Sequence, residues 1–252
     1  MRKIISFTAL ALVFCLGLSG CGEKKTANVK RESYESSEIQ FTAPQDGDPI
    51  AIFDTSLGEI RAVLYPDQAP MAVENFTGLA QQGYYDGLPF HRVIYGFVAQ
   101  TGDDTGTGLS GASIWHNNPY PVEYSDSLHH YSGALGMAHS GDEEDTCLSQ
   151  FYFVQSLPEM DKDLKKPLEE SGFRQEVIDA YEAVGGLPYL DNHYTVFGQV
   201  YRGMEVVDAI GAVETDEEDK PLEEVLVNSV TIATYSAEEE SRLDSEAASS
   251  AQ

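Results

Sequence analysis

Positive charge is scarce in this chain: 15 Lys and Arg stand against 42 Asp and Glu over 252 residues, a formal net charge of -27. So acidic a surface repels phosphate backbones and anionic lipid headgroups, which excludes nucleic acid as a partner. Cysteine is nearly absent. Cys15 lies inside an apolar run and Cys21 just beyond it, so Cys147 is the one thiol left for a folded domain and no intramolecular disulfide is expected. A thiol enzyme pairing Cys147 with His139 would lack an orienting third group. No membrane-spanning run is present either. The apolar stretch 4–18 follows Arg2 and Lys3 and falls short of the ~20 residues a spanning helix requires, but it suits the apolar region of a secretory signal. Metal spacing is missing as well, because neither His129-His130 nor the acidic residues of 142–145 form a zinc or EF-hand pattern, so no metal and no cofactor are expected.

The two ends read as appendages. Leu18-Ser19-Gly20-Cys21 resembles the bacterial lipobox, in which small residues precede a cysteine that is lipidated and becomes the mature N-terminus. Residues 1–20 are then a lipoprotein signal peptide, Cys21 is the lipidation site, and the protein is expected outside the cytoplasm, anchored by lipid to the bacterial cell membrane. Residues 21–48 are polar with few apolar groups, which predicts a disordered tether. Residues 236–252 carry Glu238-Glu239-Glu240 and small residues, which predicts a disordered acidic tail.

Between them, residues 49–235 read as one domain. Two strand-like runs at 49–54 and 59–65 flank Thr55-Ser56-Leu57-Gly58 and predict a hairpin. Pro70 opens a segment in which Val73, Phe76 and Leu79 recur at helical spacing until Gly83 stops it. Further strands are expected at 90–94, 97–101, 134–138, 151–155, 194–200 and 225–234, with a second helix at 204–212. The pattern alone gives a mostly β, α+β domain. Residues 160–184 are charged and helix-prone. Phe173, Val177, Tyr181 and Val184 form an apolar stripe along them, read as a helix packed on the domain or as a lid or partner surface.

The chemistry concentrates in Phe90-His91-Arg92-Val93-Ile94-Tyr95-Gly96-Phe97-Val98-Ala99-Gln100-Thr101-Gly102-Asp103. Arg92 and Gln100 are an even number of positions apart, so both fall on one face of paired strands if the kink at Tyr95-Gly96 keeps phase. The stretch resembles the cyclophilin family of peptidyl-prolyl isomerases. So do Ala69-Pro70-Met71-Ala72-Val73-Glu74-Asn75-Phe76, Gly83-Tyr84-Tyr85-Asp86-Gly87, Ser113-Ile114-Trp115, Gly133-Ala134-Leu135-Gly136-Met137-Ala138, Ser149-Gln150-Phe151-Tyr152-Phe153, and Leu190-Asp191 with Thr195-Val196-Phe197-Gly198.

The resemblance implies a closed eight-stranded antiparallel barrel capped by two helices, from which the length of 156–188 departs and is read as a helical insertion. It implies a monomer that acts on proline-containing peptides and on unfolded or partly folded exported proteins. Arg92 would be the catalytic donor to the prolyl nitrogen. Phe97, Val98, Tyr152 and Leu190 would form the proline pocket with Ala138 at its edge. Gln100 would orient Arg92, and His91, His139, Gln150, Tyr189 and Tyr194 would contact the peptide. Several positions depart from the family: Val98 for methionine, Tyr152 for phenylalanine, Tyr189 for tryptophan or histidine, and Tyr194 for the histidine of eukaryotic relatives. The segment 141–148 is longer and more acidic than usual, which predicts a bias toward basic substrates. The alternative reading is a proline-peptide-binding chaperone or scaffold with little turnover.

Overall fold

The computed structural model describes residues 25–139, 146–158 and 164–250. The signal peptide, Cys21 and the acidic residues 142–145 lie outside them. No helix among the described residues is long and apolar enough to cross a membrane.

The chain opens with the hairpin of β1 (Pro49–Thr55) and β2 (Gly58–Leu64). Gly58 takes φ 138, and the Thr55 hydroxyl donates to its carbonyl at 2.6 Å, which closes the turn. Helix α1 (Pro70–Gln81) follows, with proline where a missing N–H matters least. Its N-cap residue, Ala69, offers no side-chain oxygen. Glu123 does so from a distant loop, accepting from the N–H groups of Met71 and Ala72 at 3.0 and 2.9 Å, so a carboxylate meets the positive end of the helix. The buried face of α1, including Val73, Phe76 and Leu79, packs into a core of Phe53, Phe151, Phe153 and Phe197. The rings of Phe53, Phe76, Phe151 and Phe153 meet tilted or edge to face at 5.1 to 5.8 Å.

The remaining strands are β3 (Leu88–Pro89), β4 (Arg92–Ile94), β5 (Val98–Thr101), β6 (Ala134–Met137), β7 (Phe151–Val154), β8 (Val196–Arg202) and β9 (Leu226–Thr234). They join β1 and β2 in one curled antiparallel sheet of nine strands, ordered β3-β9-β1-β2-β8-β6-β7-β5-β4. Among the described residues the sheet is a half-barrel whose edges, β3 and β4, are not laddered to each other, so it does not show the expected closure of eight strands. The reason is local. β3 is two residues long and contains Pro89, which has no N–H to donate, and the edge of β4 is covered by a loop when Val93 N–H donates to the Asp219 carbonyl at 2.8 Å.

Helices α2 (Lys165–Glu170) and α3 (Gln175–Val184) lie between β7 and β8, and α4 (Met204–Gly211) follows β8. Phe173, Val177, Tyr181 and Val184 pack in one apolar cluster, but the segment forms two helices instead of one. Gly172, at φ 82, follows α2 and leaves Phe173 in the connection, and only then does α3 bury Val177, Ile178, Ala180 and Tyr181 against Tyr131.

Both appendages differ from expectation. Residues 25–48 lie along the domain rather than free of it. Arg31 pairs through Nη2 and Nε with Asp208 at 2.6 and 2.9 Å and donates to the Ser132 hydroxyl and the Ser156 carbonyl at 2.8 Å each. Gln40 is buried, donating to the His129 carbonyl and Gln199 and accepting from the His129 N–H. The low apolar content that predicted disorder misses such anchors, because buried polar partners hold the segment. The tail forms α5 (Ala237–Ser250). Glu240 meets the buried Arg61 at 2.8 Å and Arg202 at 3.2 Å, so a chain short of bases directs part of its surplus acid onto two of them.

Candidate active site

The β4–β5 hairpin aligns Arg92 with Gln100, Val93 with Ala99 and Ile94 with Val98. Its turn is built by Gly96 at φ 75 and by Phe97 N–H donating to the Ile94 carbonyl at 3.0 Å. Gln100 in turn sits opposite Tyr152 on β7, and Tyr152 opposite Gly136 on β6. Directly opposed residues share a face, so Arg92, Gln100, Tyr152 and Gly136 form one row across four strands.

Beside that row lies a cavity of about 340 Å³ whose walls include Arg92, His91, Phe97, Val98, Gln100, Ala138, His139, Tyr152, Leu190 and Tyr194. Gln150 lines an adjoining hollow of about 110 Å³ that shares Gln100, Ala138 and His139 with the first. Tyr189 stays outside both. Its ring is 56 % exposed and stacks on Phe97 at 6.4 Å, forming a rim. Thr107, Gly108 and Glu218 also line the main cavity and were not expected there. Thr107 and Gly108 adjoin the motif ending at Asp103, which was a usable signal. Glu218 comes from the loop before β9, and no local pattern marks it.

Arg92 is loosely held. Its side chain is 42 % exposed, its Nε lies 3.7 Å from Asp219 Oδ2, and its guanidinium carbon is 5.9 Å from the Phe97 ring centroid. Gln100 does not bond Arg92. Its amide donates to Gln150 Oε1 at 2.9 Å, and Gln150 donates to the carbonyls of Gly108 and Ser110 at 3.0 and 2.7 Å, tying the loop to the sheet. Asp103 stiffens the same loop by accepting from Thr105, Thr107 and Ser110. Burial alone would raise its carboxyl, but these hydrogen bonds bring it down to about 2.

His91 is buried, its ring nitrogens make no well-formed hydrogen bond among the described residues, and burial lowers its pKa from the usual imidazole value. His139 bonds the His193 carbonyl through Nε2 at 2.9 Å and packs on the Tyr194 ring at 4.4 Å. Cys147 is buried in the main core, whereas His139 lines the cavity. His129 and His130 both face Asp191. Among the described residues no cluster of three His, Cys, Asp or Glu could hold a metal ion. The arrangement offers a hollow with apolar side chains on part of its wall and a cation with donors to spare at its edge.

Residues 50–232 match the family described as cyclophilin type peptidyl-prolyl cis-trans isomerase/CLD. A Staphylococcus aureus protein named for peptidyl-prolyl cis-trans isomerase activity is 39 % identical over 188 residues, covering 75 % of this chain and 93 % of its own. A Streptococcus pyogenes protein named as a bifunctional phosphatase and peptidyl-prolyl cis-trans isomerase is 43 % identical over 188 residues, and this chain spans 38 % of its length. The crystal structure of a cyclophilin type isomerase from Cryptosporidium parvum, determined in the presence of the dipeptide Ala-Pro, superposes with a TM-score of 0.59 at 27 % identity, over 74 % of this chain and 99 % of its own.

Proposed function

The chain belongs to the cyclophilin-type peptidyl-prolyl cis-trans isomerases, and from that premise we propose that it accelerates rotation about Xaa-Pro bonds with Arg92 as the hydrogen-bond donor to the prolyl nitrogen. Rotation must break amide resonance, a barrier of ~18–20 kcal/mol that needs neither nucleophile nor redox chemistry to lower. As the bond twists, the prolyl nitrogen becomes pyramidal and its lone pair becomes an acceptor. A guanidinium aimed at it is bonded more tightly in the twisted state than in the planar one, which is the requirement for catalysis.

One observation carries this reading: Arg92 lines the cavity beside the apolar side chains of Phe97, Val98 and Leu190 while its own ion pairing is a single loose contact at 3.7 Å. A charge-assisted hydrogen bond contributes about 1.5–3 kcal/mol, and ~1.4 kcal/mol is tenfold in rate. Arg92 then supplies roughly one to two decades, and the remainder comes from holding the twisted amide against Phe97, Val98, Tyr152 and Leu190. The Ala-Pro dipeptide used with the Cryptosporidium relative belongs to the class of ligand this cavity suits.

The substrates in this reading are proline-containing segments of exported proteins, met by a monomer held outside the cytoplasm through lipid on Cys21. The test is NMR exchange spectroscopy on a short Xaa-Pro peptide with the chain from residue 25 onward. Acceleration that falls one to two decades in Arg92→Ala supports the assignment. A folded wild type that binds the peptide without accelerating exchange moves the function to proline-peptide capture.

A further inference from the structure

Tyr152 brings a hydroxyl to the wall of the proline cavity, and that hydroxyl is committed elsewhere. It lies 2.9 Å from His130 Nε2. His130 Nδ1 lies 2.8 Å from Asp191 Oδ1, which also accepts the His130 backbone N–H at 2.9 Å. The other carboxylate oxygen of Asp191 takes His129 Nδ1 at 2.8 Å and the Tyr181 hydroxyl at 2.7 Å. Asp191 is 8 % exposed, so these four partners replace its water.

The direction of the chain follows from Asp191. A carboxylate only accepts, so His130 donates to it from Nδ1, and with a neutral ring Nε2 is left to accept from the Tyr152 O–H. Burial pushes the Tyr152 hydroxyl well above its ordinary range, so the proton is present to be donated. The ring is confined from its other side as well. A Cβ on Gly136, its neighbour in the cross-strand row, would collide with the Tyr152 ring. Asp191 also follows Leu190 directly in the chain, so one carboxylate governs two walls of the cavity, one by hydrogen bonds and one by backbone.

We propose that Asp191 is a positioning residue for the proline cavity, and that through Tyr181 the helix α3 braces that cavity from behind. The inference rests on the proline-cavity reading above. Tyr152 stands in the same row as Arg92 and Gln100, so a ring allowed to tilt changes where the proline sits relative to the guanidinium. The segment between β7 and β8 thereby supports the site as well as walling it, since it supplies Leu190 and Tyr194 directly, although no residue of α2 or α3 lines the cavity.

The experiment is a double-mutant cycle on the chain from residue 25 onward, reading kcat and KM by NMR exchange, the Kd of a proline peptide by titration, and Tm. Asp191→Asn should lower kcat/KM about tenfold, mainly through KM, and the gentler Tyr181→Phe should lower it about threefold, because coupled sites in one network do not add. In a Tyr152→Phe background, where the hydroxyl link is already cut, both effects on KM and Kd should shrink to less than about twofold while the loss in Tm remains. Equal losses in the two backgrounds, or a Tyr181→Phe variant with unchanged KM and Kd, overturn the proposal. Wild type that binds peptide without turnover defeats the isomerase reading alone, because the cycle can still be read in Kd.

Discussion

Arg92 lines the cavity and Asp191 sits behind one of its walls, and the fold treats these two charges in opposite ways. Arg92 is half exposed, with one contact at 3.7 Å. Asp191 is buried and takes four hydrogen bonds between 2.7 and 2.9 Å. A group that must bond a transition state keeps its donors uncommitted, whereas a group that must hold geometry has every lone pair engaged. The difference teaches where each should fail: loss of Arg92 should be felt in rate, and loss of Asp191 in stability as well as in affinity.

The contrast breaks most visibly with Asp191→Ala, which leaves buried donors from His129, His130 and Tyr181 without an acceptor and should cost about 3–5 kcal/mol in urea unfolding. Arg92→Ala should reduce kcat/KM by roughly 10- to 100-fold while changing unfolding by less than about 0.5 kcal/mol, since a loose exposed pair contributes little.

Acid titration sharpens the comparison further. Burial alone would raise the Asp191 carboxyl, but hydrogen bonds from His129 and His130 outweigh it and bring it from 3.8 to about 2. A carboxyl lowered by folding contributes stability above its unfolded value and loses it as pH falls through the folded one, so about 2 kcal/mol should disappear between roughly pH 4 and pH 2. Asp103, also brought down to about 2, titrates in the same window. Asp191→Asn should therefore flatten the slope of stability against pH without abolishing it. The smallest effect is expected at Glu218, which lines the cavity. Glu218→Gln should weaken any preference for Lys-flanked over Glu-flanked prolyl peptides by about two- to threefold in 20 mM salt, and by less in 0.5 M.

The row Arg92–Gln100 could be read from parity alone because the Tyr95-Gly96-Phe97 turn keeps the two strands in phase. The α1 helix was equally legible from Pro70, its 3.6-residue spacing and Gly83. Glu218 and Asp219 were not, since more than a hundred positions separate them from Arg92 and only the folded sheet brings them together. The Asp191 network was hidden for another reason. Adjacent histidines suggest a metal site or nothing, and their real partner is specified by tertiary structure. Composition misjudged both ends of the chain because it counts apolar residues, whereas Arg31, Gln40 and Glu240 hold their segments through polar anchors. The open edges at β3 and β4 were not legible either, because they depend on Pro89 and on the 214–225 loop that meets β4, about which periodicity says nothing.

The docking of residues 25–48 changes how far this enzyme would reach. Lys25 donates to the Val213 carbonyl at 3.0 Å, so the chain is already fastened to the domain there. Should Cys21 carry the proposed lipid, the leash between membrane and domain is the stretch from residue 21 to residue 25, at most about 14 Å long, and not the roughly 100 Å that a free chain up to Pro49 would allow. The volume searched from a fixed anchor grows as the cube of that length, so under that proposal the short leash confines the cavity to a volume roughly two to three orders of magnitude smaller.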